Sequence, residues 1–427
     1  MIIDAPSIAE DLNQNCHCIS VDPAALTQAL ETGPLTAGLY EQIVSDRPHL
    51  FSGYPVFVAG EHIEQMQATV GAVEALAALP AFQDHALAAA PTIARVNRGA
   101  RGVYYGYDFH LGADGPQLIE INTNAGGALL NDALTRAGRV CCAEVDAVVA
   151  TVEASEDAVA ANVEMFRAEW RHERGDAPLQ RIAIVDEDPL KQYLYPEFLM
   201  FREMFERAGI QAEIADIREL TFDGKTLACG GRPIDLVYNR STDFYFTSEH
   251  SSTLRKAWES GAVVVTPTPR NYALYADKRH LELFSNSERL AELGLGEHER
   301  RVLEQSVPRT VIVNDENVDQ LWEDRREWFF KPLGGYGGKA AYRGDKITRK
   351  VWGQVERRPY VAQQLVVPSR RTIKIDDIEV PLKLDLRCYV YDGRIHRIAA
   401  RLYNGQTTNF RTVGGGFAPV YSERTRA

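Results

Sequence analysis

The chain has little sulfur, no long apolar run and no concentrated positive charge. Its 427 residues hold six cysteines, too few for a disulfide scaffold at this length. Cys16-His17-Cys18 and Cys141-Cys142 lack the Cys-x₂₋₄-Cys spacing of structural zinc sites and read as reduced core or surface thiols. No run of about 18 apolar residues occurs. The start, Met1-Ile2-Ile3-Asp4-Ala5-Pro6, has neither a basic segment nor an apolar one of leader type. A cytoplasmic protein without a membrane partner is expected. Lys and Arg number 47 against 59 Asp and Glu, a net charge of −12, and no basic block has the density of a nucleic-acid patch. Nucleic acid is therefore not an expected partner. Internal repeats and low-complexity tracts are absent as well.

The composition, 45% hydrophobic and 25% charged, is that of an ordinary globular protein, and the length suggests two or three domains. Residues 1–60 are mixed. From Glu61 to about Leu79 apolar residues recur at helical spacing (Ile63, Met66, Val70, Val73, Leu76), the pattern of an amphipathic helix. Residues 128–173 read as mostly helical, and the polar connector Arg174-Gly175-Asp176-Ala177-Pro178 marks a boundary. Strands and helices then alternate: strand 182–185, helix 195–208, strands 211–217 and 236–238, helix 252–260, strand 263–265. This βαβαβ order predicts a parallel sheet in a Rossmann-like lobe. Asp186-Glu187-Asp188-Pro189 stands where Gly-x-Gly-x-x-Gly would follow the first strand, so dinucleotide binding is not expected there. From Asp277 an α+β unit begins, with a helix carrying Lys278, strands over 308–313, 328–332 and 360–367, and a hairpin over 384–395.

The densest chemistry lies between Tyr107 and Gly127. Tyr107-Asp108-Phe109-His110-Leu111-Gly112 reads as a strand and Ala113-Asp114-Gly115 as a turn. The chain returns through Leu118-Ile119-Glu120-Ile121-Asn122. Side chains alternate along a strand, so Glu120 and Asn122 share a face, and the hairpin brings Asp108 beside them. Two carboxylates and an amide oxygen make a hard-oxygen site suited to Mg²⁺, and so to nucleotide phosphates. The plain alternative is a solvated acidic turn. Against it, Glu120 and Asn122 interrupt an apolar strand, where polar groups without partners are costly.

Phe330-Lys331-Pro332-Leu333-Gly334-Gly335-Tyr336-Gly337-Gly338-Lys339-Ala340 sets a Gly-rich loop after a strand. Such a loop can turn backbone N–H groups toward phosphate, though a flexible turn has the same composition. Ala340 after Lys339 excludes a Walker A loop. Lys331 is more telling, because a lysine inside an aromatic strand needs a partner unless it snorkels from an edge. Gln363-Gln364-Leu365-Val366 closes a strand that can offer its backbone to an adenine edge. Arg240, at the end of a strand of the parallel lobe, is a candidate grip for a substrate carboxylate, with a simple Asn-Arg turn as the alternative.

These residues together resemble the ATP-grasp ligases, among them glutathione synthetase and D-alanine–D-alanine ligase. The likeness rests on Lys278 in Ala276-Asp277-Lys278-Arg279, Lys331 before the Gly-rich loop, Gln364 at a hinge strand, and Asp108 with Glu120-Ile121-Asn122-Thr123-Asn124. It implies a mixed α/β and α+β architecture: two α+β lobes clasping ATP, preceded by a Rossmann-like pre-ATP-grasp domain. Lys278 and Lys331 would hold phosphates under a lid of Gly334, Gly335, Tyr336, Gly337, Gly338 and Lys339. Gln363, Gln364, Leu365 and Val366 would receive adenine, and Asp108, Glu120 and Asn122 would bind two Mg²⁺ ions. Asp385-Leu386-Arg387, Arg401, and Asn409 before Gly414-Gly415-Gly416 resemble the acyl-phosphate segment of glutathione synthetase-like members. Arg387 and Arg401 would be catalytic there, or alternatively surface ion pairs, with Asn409 and Gly415 at the substrate. His110 is a candidate base that packing would equally explain.

In the family the metal-binding motif follows the lysines, whereas here it precedes them. The order resembles a circular permutation, as in proteins like glutathionylspermidine synthetase. Expected units are 1–178 (part of the metal-binding lobe plus a helical region), 179–275 (Rossmann-like), 276–366 (nucleotide-binding lobe with lid) and 367–427 (the rest of the metal-binding lobe). The resemblance implies an ATP-dependent ligase joining a small-molecule or peptide carboxylate to an amine through an acyl phosphate. A small-molecule kinase and a non-catalytic nucleotide-binding scaffold are the alternatives. The substrates and the oligomeric state are left open by the sequence.

Overall fold

A computed structural model of the protein describes residues 7–140, 142–152, 158–334, 338 and 340–424. Of the expected lid, Gly335, Tyr336, Gly337 and Lys339 lie outside the described residues, as does Cys141. Among the described residues no helix is long and apolar enough to cross a membrane.

Strands β1 (Tyr105–Gly112) and β2 (Gly115–Asn122) form the expected antiparallel hairpin. It turns at Ala113-Asp114, and Gly115 follows at φ +91°, where a side chain would be strained. Further along, β3 (Arg181–Asp186), β4 (Gln211–Asp216), β5 (Leu236–Asn239) and β6 (Val264–Thr266) make a parallel sheet of order β6-β5-β3-β4. Ile182, Ala183, Ile184 and Val185 are fully buried, as a parallel strand covered on both faces requires. Helices Tyr195–Arg207 and Ser252–Ser260 carry the first and last crossovers. The middle crossover departs from the βαβαβ expectation. It is an antiparallel meander of Leu220–Phe222, Leu227–Cys229 and Arg232–Pro233, because short apolar triplets separated by turn residues offer no helical face.

The second antiparallel sheet has β7 (Thr310–Ile312), β8 (Trp328–Pro332), β9 (Tyr342–Arg343) and β10 (Tyr360–Gln364) in the order β7-β10-β8-β9. Its own core is Phe330, Trp352, Val355 and Tyr360. Lys278 is not helical as expected. It sits in the turn between the wide helical turn Tyr272–Ala276 and helix His280–Phe284. The Asp277 carboxylate accepts the Arg279 N–H at 3.0 Å and interrupts the helix there.

Strands β11 (Arg370–Ile375), β12 (Ile378–Tyr391), β13 (Arg394–Tyr403) and β14 (Gly416–Ala418) return to the first hairpin. The six-stranded antiparallel sheet runs β14-β13-β12-β1-β2, with β11 on the first half of β12. Strands from both ends of the chain thus share one sheet. Its back packs on helix Gly60–Ala77, whose Met66, Val70, Val73 and Leu76 are buried as the periodicity predicts. Tyr107 and Phe109 face that helix, so Asp108 between them faces the other way. The stretch 128–173 is less helical than expected. Helices Ala128–Arg136, Ala143–Asp146 and Ala158–Arg174 are accompanied by strand Val149–Thr151, which pairs with Val420–Glu423. A β-branched residue placed against a strand edge favours extended backbone there.

Candidate active site

The carboxylates come from the first hairpin. Register sets Asp108 opposite Glu120, with a bulge between Asp108 and Phe109. Asn122 Nδ2 donates to Asp108 Oδ2 at 3.2 Å and to Glu120 Oε1 at 3.1 Å, so all three groups converge as the alternation predicts. Among the described residues no three His, Cys, Asp or Glu side chains gather; the third member here is an amide. The arginines come from β12 and β13. Arg387, opposite Asp108 in the register, donates from Nε to Oδ1 and from Nη2 to Oδ2, both at 2.6 Å. Arg401 Nη2 reaches Asp108 Oδ2 at 3.1 Å and its Nε reaches Asp385 Oδ1 at 2.6 Å. The other oxygen of fully buried Asp385 accepts the Thr408 hydroxyl. Both arginines are largely buried, which disposes of the surface ion-pair alternative. Burial pushes the Asp108 carboxyl up, but Arg387 and Arg401 outweigh it and hold the group well below the usual carboxylate range. Burial likewise opposes the charge on Arg401, and Asp108 with Asp385 more than restores it.

The facing wall is the second sheet. Lys331 Nζ donates to the Ile119 carbonyl at 2.6 Å and to Gln363 Oε1 at 2.7 Å. Ile119 directly precedes Glu120, so the late-encoded lysine lies close to the early-encoded carboxylates, and the charges of Glu120 and Asp108 act on it. Strand β8 lies inside its sheet and Lys331 is buried, which is not the geometry of a snorkelling edge lysine. Burial lowers its amine to about 8; Glu120 raises it, and the charge of Lys278 lowers it further. Gly334 is exposed, and Gly338, at φ +68°, lies beside Thr407. In the hinge segment the Gln364 N–H is given to Arg309 O at 2.8 Å and the Leu365 N–H to Glu327 O at 2.7 Å. These two backbone donors are therefore already engaged. The Val366 carbonyl lies 3.3 Å from His110 Nδ1.

Arg240 sits at the carboxyl end of β5, next to Asp186 at the end of β3, where the strand order reverses. Ligands of open parallel sheets bind at such points. Its Nη1 donates to Ala125 O at 3.3 Å and to the Tyr238 hydroxyl at 3.2 Å, and its Nε has no partner among the described residues. A Cβ on Gly126 would lie 2.9 Å from Arg240 Nη2, so glycine lets the loop after Asn122 close on the arginine. Glu197 accepts the N–H groups of Gly127 at 2.8 Å and Leu129 at 3.1 Å, fixing that loop and the helix after it. Burial raises the Asp186 carboxyl to about 7 despite the nearby Arg240.

Three expected residues are turned to other uses. Asn409 donates to Asn404 O at 2.7 Å and Thr407 O at 3.2 Å, and accepts from Arg411 N at 3.0 Å and Thr412 Oγ1 at 3.2 Å. Its amide is spent shaping its own loop. Gly415 donates to Thr412 O at 2.9 Å, and a Cβ there would lie 2.5 Å from Leu402 O; it serves a close chain approach. The ring of His110 bridges Val366 O and the Tyr403 hydroxyl, 3.4 Å from Nε2, and burial lowers its pKa. Thr408, Asp186 and Glu197 were not expected at the site, and Asp385, within the expected Asp385-Leu386-Arg387 segment, had no expected role of its own. Its pairing role was within reach, since Asp385 lies two positions from Arg387 along a strand and both face the same way.

No protein-family model matches the sequence, and no curated protein is similar to it. Solved structures are. A glutathione synthetase-like effector from Globodera pallida, in its apo form, matches with a TM-score of 0.54 at 14% identity, covering 95% of this chain and 98% of that one. A candidate gamma-glutamylcysteine synthetase from Methylobacillus flagellatus matches with a TM-score of 0.47 at 11% identity, covering 75% and 81%. The ATP-grasp ligase PsnB, complexed with minimal precursor, Mg and ADP, matches with a TM-score of 0.29 at 16% identity, covering 57% and 88%. The likeness to the glutathione synthetase-like effector is one of fold, and it agrees with the fold that the motif resemblance implied.

Proposed function

We propose that the protein is an ADP-forming ligase that joins a carboxylate to an amine using ATP. The observation that carries this reading is the position of Lys331, whose amine touches the carbonyl of Ile119 at 2.6 Å and so faces the Asp108–Glu120–Asn122 cluster across one cleft. A buried ammonium whose hydrogen bonds, among the described residues, go to neutral oxygens is a good anchor for phosphate. The opposing donors are hard oxygen ligands with no thiol among them, which suits Mg²⁺. Asp108, Glu120 and Asn122 would hold the ions, which supply neutralisation of charge on the β- and γ-phosphates.

The chain's own groups account for the remaining work. Lys278 and Lys331 fix the phosphates, residues 334–339 cover them, and the Gln363–Val366 segment receives adenine. Arg387 and Arg401 orient the reacting carboxylate. One of its oxygens attacks the γ-phosphorus as the bond to ADP breaks. The amine nitrogen then attacks the acyl carbon, phosphate leaves, and the surplus amine proton passes to solvent. Arg240 holds a second carboxylate of the substrate at the switch point of the parallel sheet, with Asn409 and Gly415 shaping the wall rather than touching the reactants. In this reading residues 179–275 are the pre-ATP-grasp domain, and strands 105–122 and 370–418 form one lobe in circularly permuted order. ATP as co-substrate fits a cytoplasmic setting.

The test is phosphate release from Mg-ATP across amino acids, short peptides and polyamines. ADP formation that requires both an acid and an amine, and is abolished by Lys331→Ala, is the expected result. Phosphate recovered on the substrate would make the protein a kinase, and activity unchanged by Lys331→Ala would reject the phosphate role.

A further inference from the structure

The carboxylate expected to bind a cation is already neutralised by this chain. Arg387 holds both oxygens of Asp108 at 2.6 Å and Arg401 adds a third contact at 3.1 Å. Asn122 points its N–H donors, not its oxygen, at Asp108 and Glu120. The groups around the two carboxylates thus present positive ends, as a metal ion would. Asp108 cannot give the same lone pairs to a cation and to a two-pronged guanidinium.

The two arginines differ in what they keep if Asp108 is taken from them. Arg401 retains Asp385 at 2.6 Å, which Thr408 also holds in place. Arg387 has Asp108 as its single ion-pair partner among the described residues. Its side chain lies along the sheet over Gly106, where a Cβ would be 3.0 Å from its Nε and 3.2 Å from its Cδ; glycine there leaves it room to move. Resting on the ligase reading above, we propose that Arg387 stands in for the cation at Asp108 and exchanges with it. When a divalent cation takes Asp108 and the Asn122 amide turns its oxygen inward, Arg387 is released to the substrate carboxylate while Arg401 stays on Asp385. Two acids balance two arginines before the exchange. The added cation brings more positive charge than Glu120 offsets, and incoming anions offset the rest, which couples metal binding to substrate binding.

The test is direct Mn²⁺ binding, followed by electron paramagnetic resonance without nucleotide. Arg387→Gln removes the stand-in charge and is expected to tighten Mn²⁺ by about tenfold or more. Mn²⁺ should also raise the melting temperature of this variant well above its effect on wild type, because the cation then takes the place of the two-pronged partner that Asp108 has lost, Arg401 alone remaining on it. Arg387→Lys, which keeps the charge but loses the two-pronged grip, should tighten binding by a few-fold and covers the case in which Arg387→Gln does not fold. Mn²⁺ affinity equal to or weaker than wild type in either folded variant would overturn the exchange. ADP binding to wild type, measured separately, tests the ligase reading, so its failure leaves the Mn²⁺ comparison interpretable.

Discussion

The two walls of the cleft handle charge in opposite ways. On the six-stranded sheet, Asp108 and Asp385 are matched by Arg387 and Arg401, so the buried charges close on themselves. On the facing sheet, Lys331 is buried and, among the described residues, hydrogen-bonded to a backbone carbonyl and an amide oxygen, with no carboxylate in direct contact. A closed ion network is poised to be opened by a competing cation, whereas a lone buried ammonium is poised to receive an anion. On the proposals above, this difference sets one wall for exchange and the other for capture.

The comparison breaks most visibly at Asp108. Asp108→Ala should strand the buried Arg387 guanidinium, leave Arg401 with Asp385 alone, and cost about 3–5 kcal/mol in denaturant unfolding, together with all activity. Lys331→Met should shift stability by no more than about 1 kcal/mol, because losing two hydrogen bonds is offset by no longer burying a charge. It should nevertheless abolish ADP binding in calorimetry. An equal stability loss in both variants would erase the distinction between the walls.

Proton linkage sharpens it further. Burial lowers the Lys331 amine from 10.5 to about 8. The unfolded chain therefore binds more protons between those values, and Lys331 makes stability rise with pH across that window. Phosphate beside the amine favours its charged form, so ADP binding above about pH 8 should take up a proton, visible as a buffer-dependent enthalpy and absent in Lys331→Met. The smallest effect is expected at the switch point. Burial raises Asp186 from 3.8 to about 7, so the folded state binds the extra proton and stability falls as pH rises through that range. Asp186→Asn should flatten this slope and gain ~1–2 kcal/mol at pH 8 in thermal or denaturant melts.

What the sequence made legible was local. Alternation placed Glu120 and Asn122 on one face, turn residues closed the hairpin onto Asp108, and a lysine within Phe329-Phe330-Lys331 announced an unusual partner. What stayed hidden depends on registers between distant strands. Arg387 meets Asp108 across 279 positions, and Glu197 reaches the Gly127 amide across 70; neither pairing has a local signature. Asn409 looked like a substrate ligand because its type fits, but its loop closes on its own amide. Lys278 was expected in a helix, and it lies instead in the turn before one. The Asp277 side chain bond to the Arg279 amide, invisible to periodicity, interrupts the helix there.

The central claim, that both walls grip one triphosphate, is tested most directly by ADP affinity with and without Mg²⁺ in wild type, Lys331→Met and Glu120→Gln. The account predicts that Mg²⁺ strengthens ADP binding in wild type, that Glu120→Gln loses this enhancement, and that Lys331→Met binds ADP in neither condition. ADP binding to Lys331→Met at wild-type affinity, or a wild-type affinity indifferent to Mg²⁺, would contradict it.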